Sequence, residues 1–408
     1  MPSPHTVPAR LIGLTGLTNL AFWLLWPAGI VRVAGLDWGP VAAGLFGSAA
    51  WLAMMLAMPI ASRLVLWIGH RSVAALATGL IVAAALGIAI APGGPLEWVW
   101  TAFLGFGTGL RWIACDSWIA DVTPPDRVGR MLSLGEMVVG LGFGLGPAMA
   151  AAFANMGPPA TIGLSAALIA GSGGTLIIGV RGPVTAITPL VDAVTKPHWL
   201  AGIPTGAALL LLASALLGGL NESGFAGIAT LIAVAGGGDA SASLAAAAAV
   251  GFGSFVAQYA LGAAADRWGG CKVLMACAAM LTVALTCLAI VPAALPYASF
   301  VIGGVGGGLY TVAVIFGLQA QRGTGGSASM IGAAAICYTI GTLAAPTLAG
   351  VSLATIGPAP TLLAMAALVA ALLAAIIALQ AWRWVDRTRN LGPACAFRVS
   401  PTAFGGSD

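Results

Sequence analysis

Read from residue 11, the chain repeats one pattern: about twenty apolar residues, a short stretch containing Arg, Lys, Asp or Pro, then another apolar run. The runs fall near 11–33, 41–65, 72–90, 98–119, 131–152, 160–180, 200–234, 244–265, 273–292, 297–318, 328–351 and 360–384. Each is long enough to cross a bilayer core of about 30 Å as a helix rising about 1.5 Å per residue. A membrane-barrel strand would alternate apolar and polar residues over about ten positions, whereas these runs are apolar all round. The pattern predicts an all-α membrane protein with twelve transmembrane helices.

Composition agrees, with 60% hydrophobic and 7% charged residues in 408, where a soluble domain has about half and one quarter. The few basic residues predict the topology, because short loops rich in Lys and Arg stay on the cytoplasmic side. Arg10, Arg63, Arg71, Arg127, Arg130, Arg181, Lys196, Arg267, Lys272, Arg322, Arg383, Arg387, Arg389 and Arg398 fall at one set of alternate ends, and Arg32 alone at the other. Both termini are therefore expected in the cytoplasm, with the protein in the cytoplasmic membrane. The net charge of +4 serves as a topology signal and gives no reason to invoke nucleic acid. The opening MPSPHTVPAR is too short and polar for a signal peptide, so the first helix is expected to remain. Cys115, Cys271, Cys277, Cys287, Cys337 and Cys395 contain no CxxC pair and read as small core residues, so no metal, disulfide or cofactor is expected.

Sliding the chain over itself reveals a duplication. The stretch Gly105 to Leu110 lies on Gly304 to Leu309, and Gly142 and Pro147 lie on Gly341 and Pro346, all at an offset of 199; Gly69 and Val73 lie on Gly269 and Val273 at 200. Two six-helix parallel repeats are implied. The expected organisation is a first bundle over 1–180, a cytoplasmic linker over 181–199, a second bundle over 200–385 and a cytoplasmic tail over 386–408.

Between the eighth and ninth runs stands Gly262-xxx-Asp266-Arg267-x-Gly269-Gly270-x-Lys272. Gly262 suits close approach of another backbone, Asp266 and Arg267 end the apolar run, the paired glycines permit a sharp turn, and Lys272 meets the anionic leaflet. This stretch resembles the loop signature of the major facilitator superfamily. Gly142-Phe-Gly-Leu-Gly146-Pro147 in the fifth run similarly resembles the family's GxxxGP element, associated with antiporters. The resemblance covers nearly the whole chain and implies a major facilitator fold. Asp116-Ser117-Trp118, Gln258-Tyr259 and Gly308-Leu309-Tyr310-Thr311 look like a bacterial branch whose substrates are largely unassigned. The first-half loop departs from the signature, with Leu66 and Trp67 where the family's Asp-Arg would fall. A gating role is then expected of Asp266, latching onto Arg127 and Arg130.

Four ionisable groups lie within the apolar runs, where a charge costs about 2.5–3.5 kcal/mol: Arg111, Asp116, Glu136 and Glu222. His5, His70 and His198 fall in the predicted tail or loops, so proton coupling is assigned to carboxylates. Helix rise puts Asp116 about 8 Å and Glu136 about 9 Å deep, beneath Arg111 at about 15 Å. Two readings stand side by side. Arg111 and Glu136 form an ion pair that locks helices, or the two acids beside one Arg bind and release a proton, with Glu136 as carrier. Glu222 is a further candidate, or a protonated packing group. The resemblance implies a cavity lined by the first, fourth, seventh and tenth helices. That would gather Asn19, Trp23, Arg111, Asn221, Glu222, Tyr310 and Gln258, although Trp23 reads equally well as a packing aromatic. Gly142 and Gly146 suit tight helix packing, and Pro147 bends its helix.

The expected function is alternating-access transport of a small organic or amphipathic solute, coupled to protons, with export the first direction and uptake the second. The expected partners are the solute, protons and membrane lipids, and the expected state is a monomer. A transporter-like sensor and an intramembrane enzyme using Asp116 and Glu136 are the competing classes.

Overall fold

The computed structural model describes residues 6–36, 38–90, 94–123, 128–154, 160–180, 205–320 and 327–390. All regular structure among them is helical. Helix α1 is Thr6–Ala34. The run Gly39–Ile90 is 52 residues, about 78 Å of helix and enough for two crossings. It is turned at Gly69, where φ is 78° and ψ 158°, giving α2 (39–68) and α3 (70–90). There follow α4 (Pro95–Val122), α5 (Val128–Ala154) and α6 (Ala160–Thr175). Helix α7 comes in two pieces, α7a (Thr205–Asn221) and α7b (Ser223–Ala235). The series ends with α8 (Ala240–Trp268), α9 (Gly270–Ile290), α10 (Leu295–Ala320), α11 (Ser327–Thr355) and α12 (Pro358–Asn390). Nine stretches among the described residues are long and apolar enough to cross a membrane, with Gly39–Ile90 counted once and α7a and α7b counted together. Division at Gly69, with α4 and the shorter α6 added, gives twelve rods.

Two expectations are corrected in detail. The sixth helix stops at Thr175 and continues to Val180 as turns, with Gly179 at φ 75°. The seventh, described from Thr205, is interrupted at Glu222, whose φ of −105° and ψ of −96° are not helical.

The duplication is written into the packing. Gly69 and Gly269, aligned by sequence, both turn the chain through left-handed φ, 78° and 89°, a conformation glycine adopts without steric cost. A Cβ on Gly105 would strike the Ala50 carbonyl, and one on Gly303 would strike the Val250 carbonyl. The same contact, α2 with α4 and α8 with α10, is thus made twice. Gly142 lies against Leu20 and Gly341 against Leu220, repeating the contact of α1 with α5 in that of α7a with α11. Between helices already in lipid, close backbone approach through small residues supplies the van der Waals contact that hydrophobic transfer cannot. Large side chains such as Leu168, Val283 and Leu368 face outward, as a lipid-facing surface requires.

The halves touch along α2 with α11, α5 with α8, and α1 with α7b. These contacts lie toward the end of the bundle opposite the chain termini, here called the far side. Gly44 meets the Pro346 carbonyl and Gly350; Ser48 Oγ donates to Leu343 O at 2.6 Å and lies 2.7 Å from Thr347 Oγ1. Gly144 packs on Phe252, and Gly227 on Trp26. Toward the terminus side the contact fades. Gly140 still reaches Phe255 at 3.8 Å, but neither Gly135 on α5 nor Gly262 on α8 has a neighbour within 4 Å of where a Cβ would stand. Among the described residues, then, no backbone approaches Gly262, and the contacts between the halves are concentrated on the far side.

Candidate functional site

The break in α7 arises in a stretch poor in side-chain bulk, Gly218-Gly219-Leu220-Asn221-Glu222-Ser223-Gly224. Backbone bonds persist across it, Glu222 N to Gly218 O at 2.8 Å and Ala226 N to Glu222 O at 3.3 Å. Neighbouring helices approach because they too carry glycine. Gly306 sits on the Asn221 carbonyl, and Gly307 beneath the Glu222 carboxyl and Gln258.

Glu222 is 5% exposed and is held by three side chains from two helices. From α8, Ser254 Oγ donates to Oε1, and Gln258 Nε2 donates to the same oxygen at 3.0 Å. From α11, Tyr338 Oη donates to Oε2 at 2.8 Å. An outer ring supports these donors. Gln258 Nε2 also reaches Ser254 Oγ at 3.0 Å, Thr311 Oγ1 on α10 donates to Gln258 Oε1 at 3.2 Å, and Ser223 Oγ lies 2.6 Å from Tyr338 Oη. The Tyr310 and Tyr338 ring centroids are 4.9 Å apart. Among the described residues no cationic side chain pairs with this carboxyl; the two ion pairs are Arg32 with Glu97 and His70 with Asp121. A carboxyl served by neutral donors in a dry setting is cheap to bury when protonated and costly when charged. The arrangement is suited to taking up and releasing one proton.

Asn221 is buried beside it, its Nδ2 donating to Leu217 O at 2.9 Å and its Oδ1 without a hydrogen-bond partner among the described residues. In the first half, Arg111 is 2% exposed, and its Nε and Nη1 have no hydrogen-bond partner among the described residues. Asp116 accepts a hydrogen bond from Trp112 and feels the Arg111 charge. Glu136 is on α5, but its side chain lies outside the described residues, as do those of Asp266 and Arg130 and all of Arg127. The anticipated latch therefore also lies outside them. Arg267 and Lys272 are exposed on either side of Gly269.

Asn19 is buried, and its Nδ2 donates to Val139 O at 2.9 Å. Trp23 is buried too, stacked on Phe143 with centroids 3.9 Å apart inside a cluster with Phe22, Trp26 and Trp51. Here both residues tie α1 to its neighbours. Gly142 and Gly146 receive Asn19–Leu20 and Trp23–Leu24, and Pro147 is inside α5, so the GxxxGP element packs α1. His70 is no solvated loop residue. It is 3% exposed, in the first turn after Gly69, with Nε2 3.4 Å from Asp121 Oδ2.

Sequence reasoning missed Ser254, Ser223 and Tyr338. A signal existed for the first: Ser254 and Gln258 are four apart and share one face of an otherwise apolar helix. Tyr338 is one of only 4 tyrosines, but nothing local ties it to Glu222.

Twelve rods in two repeated bundles, with a lone acid at a broken helix, define a polytopic membrane protein built as two parallel repeats. Residues 11–197 match the Major Facilitator Superfamily. The fold is similar to that of the nucleoside transporter NupG in crystal structures of a mutant (TM-score 0.72, 11% identity, 91% of this chain and 99% of that one) and of the protein under its own name (0.71, 12%, 91% and 98%). It is also similar to the D-xylose-proton symporter (0.68, 13%, 90% and 96%). No curated protein sequence matches the chain. The first half of the chain thus matches this superfamily, and nearly the whole chain shares the fold of these solved transporters.

Proposed function

We propose that the protein is a secondary carrier for a small organic solute, working by alternating access and coupled to protons through Glu222. The observation that carries this is the Glu222 carboxyl itself, buried at the α7 break, ringed by Ser254, Gln258 and Tyr338, and given no cation among the described residues. Ionised, it opposes sealing of its half from water; neutralised, it permits it. By the excess of basic residues at the terminus side, that side faces the cytoplasm, and the described contacts between the halves then lie toward the outer side. Glu136, the first choice from sequence, serves as the comparison acid.

Export rests on the GxxxGP resemblance, and its glycines have a packing role here. Uptake has the likeness to the D-xylose-proton symporter beside it. The pH gradient that drives accumulation decides between them. Reconstituted protein is tested for counterflow with labelled D-xylose and a nucleoside as first probes, then for accumulation under a pH gradient of either sign. Wild-type protein accumulates solute, whereas Glu222→Gln retains counterflow and loses accumulation. Accumulation by Glu222→Gln with its loss in Glu136→Gln moves the coupling to the first half.

A further inference from the structure

Glu222 needs a route for its proton, because the carboxyl itself is almost wholly enclosed. Its three donors differ in what they can pass on. Gln258 presents an amide, which has no readily transferred proton. Ser254 is 1% exposed and already accepts from Gln258. Tyr338 is half-buried, carries an ionisable O–H, and is the single donor to Oε2 among the described residues. Its oxygen has a second neighbour, Ser223 Oγ at 2.6 Å, and either hydroxyl of that pair can be the donor. The titratable groups facing the carboxyl are Tyr338 on α11 and, behind it, Tyr310 on α10. No charged side chain from α8, α10 or α11 reaches it among the described residues.

We propose that Tyr338 relays the proton between cavity water and Glu222, with Ser223 as its positioning residue. This rests on the reading of Glu222 as the coupling acid. With Glu222 ionised, Ser223 donates to Tyr338, and Tyr338 donates to Oε2. On uptake, a hydronium ion delivers a proton to Tyr338 Oη while the phenol O–H breaks toward Oε2. The phenol is neutral before and after, one water remains, and the carboxylate becomes a carboxylic acid. The chain then runs in reverse, Oε2–H donating to Tyr338 and Tyr338 to Ser223. Rotation of hydroxyls alone serves both states, so no buried donor at Tyr338 or Glu222 is left unsatisfied by titration.

The test needs no solute. Full-length protein in lipid nanodiscs is given a pH jump, and the infrared band of protonated carboxyl is followed in time. Loss of a band in Glu222→Gln assigns it. Tyr338→Phe is expected to slow its appearance by about a hundredfold or more, the lower end of what a positioned proton-transfer group contributes. Ser223→Ala, which keeps the phenol and removes its anchor, is expected to slow it less. A wild-type rate in Tyr338→Phe, with the band absent in Glu222→Gln, overturns the relay and leaves the coupling acid standing. A full set of bands in Glu222→Gln overturns both. Should Tyr338→Phe fail to fold, an unchanged rate in Ser223→Ala counts against the relay by itself.

Discussion

Alanine at Gly44 tests the account of the closed far side. The new Cβ stands against the Pro346 carbonyl of the opposite half, with Pro346 C at 3.0 Å and Gly350 Cα at 3.2 Å. These are backbone atoms of a packed helix, so relief requires α2 and α11 to separate. Overpacking of this kind costs about 1–3 kcal/mol, and the cost falls only on the state in which the halves touch there. A differential of that size shifts a two-state equilibrium by roughly 5–150-fold. Spin labels at Trp38→Cys and Ile356→Cys, both exposed near the far ends of α2 and α11, report the separation by pulsed electron resonance once the native cysteines are replaced. Gly44→Ala is expected to populate a longer distance that is minor in the parent. Gly350→Ala, whose Cβ would meet Pro40 C and Gly44 Cα at 3.2 Å, is expected to act alike. An unchanged distance distribution in folded Gly44→Ala refutes the seal.

Other outcomes follow from the same packing. Arg32→Ala removes the cation from the fully buried Glu97, which its Nε contacts at 3.0 Å, and is expected to lower stability by about 3–5 kcal/mol in thermal unfolding; no change counts against a structural ion pair. Gly269→Ala forces a side chain into φ 89° at a cost of about 1–3 kcal/mol, whereas Gly262→Ala enters open space and should stay within about 0.5 kcal/mol of wild type. For topology, an impermeant thiol reagent added to intact cells should label Asp239→Cys and spare Asp192→Cys; the opposite pattern reverses the orientation.

The sequence made the membrane class, the rod count and the duplication legible because each follows from spacing along one chain. Gly69 and Gly269 could be aligned as letters, and the fold gives both the same left-handed turn. Glu222 stood out since an acid is costly in an apolar run. Its partners did not. Ser254, Tyr338 and Thr311 come from three helices, and no local rule brings residues 222, 254, 311 and 338 together. Trp23 shows a different limit, because an aromatic suits a solute cavity and a packed aromatic cluster equally until its neighbours are known; here Phe143 covers it. The helix break at Glu222 was hidden for a related reason: Gly218 and Gly219 signal close packing as readily as interruption, and the glycines of α10 that press on the break, Gly306 and Gly307, are far along the chain.

The central claim, that the protonation of Glu222 governs which way the carrier faces, is tested most directly by a distance across the terminus side at varied pH. Labels at Trp67→Cys and Trp268→Cys sit on exposed positions of equivalent turns in the two halves. In otherwise unaltered protein their separation should change with pH as Glu222 gains or loses its proton. In Glu222→Gln it should hold the acid-side distribution at every pH. A Glu222→Gln protein that still responds to pH as its parent does would contradict the account.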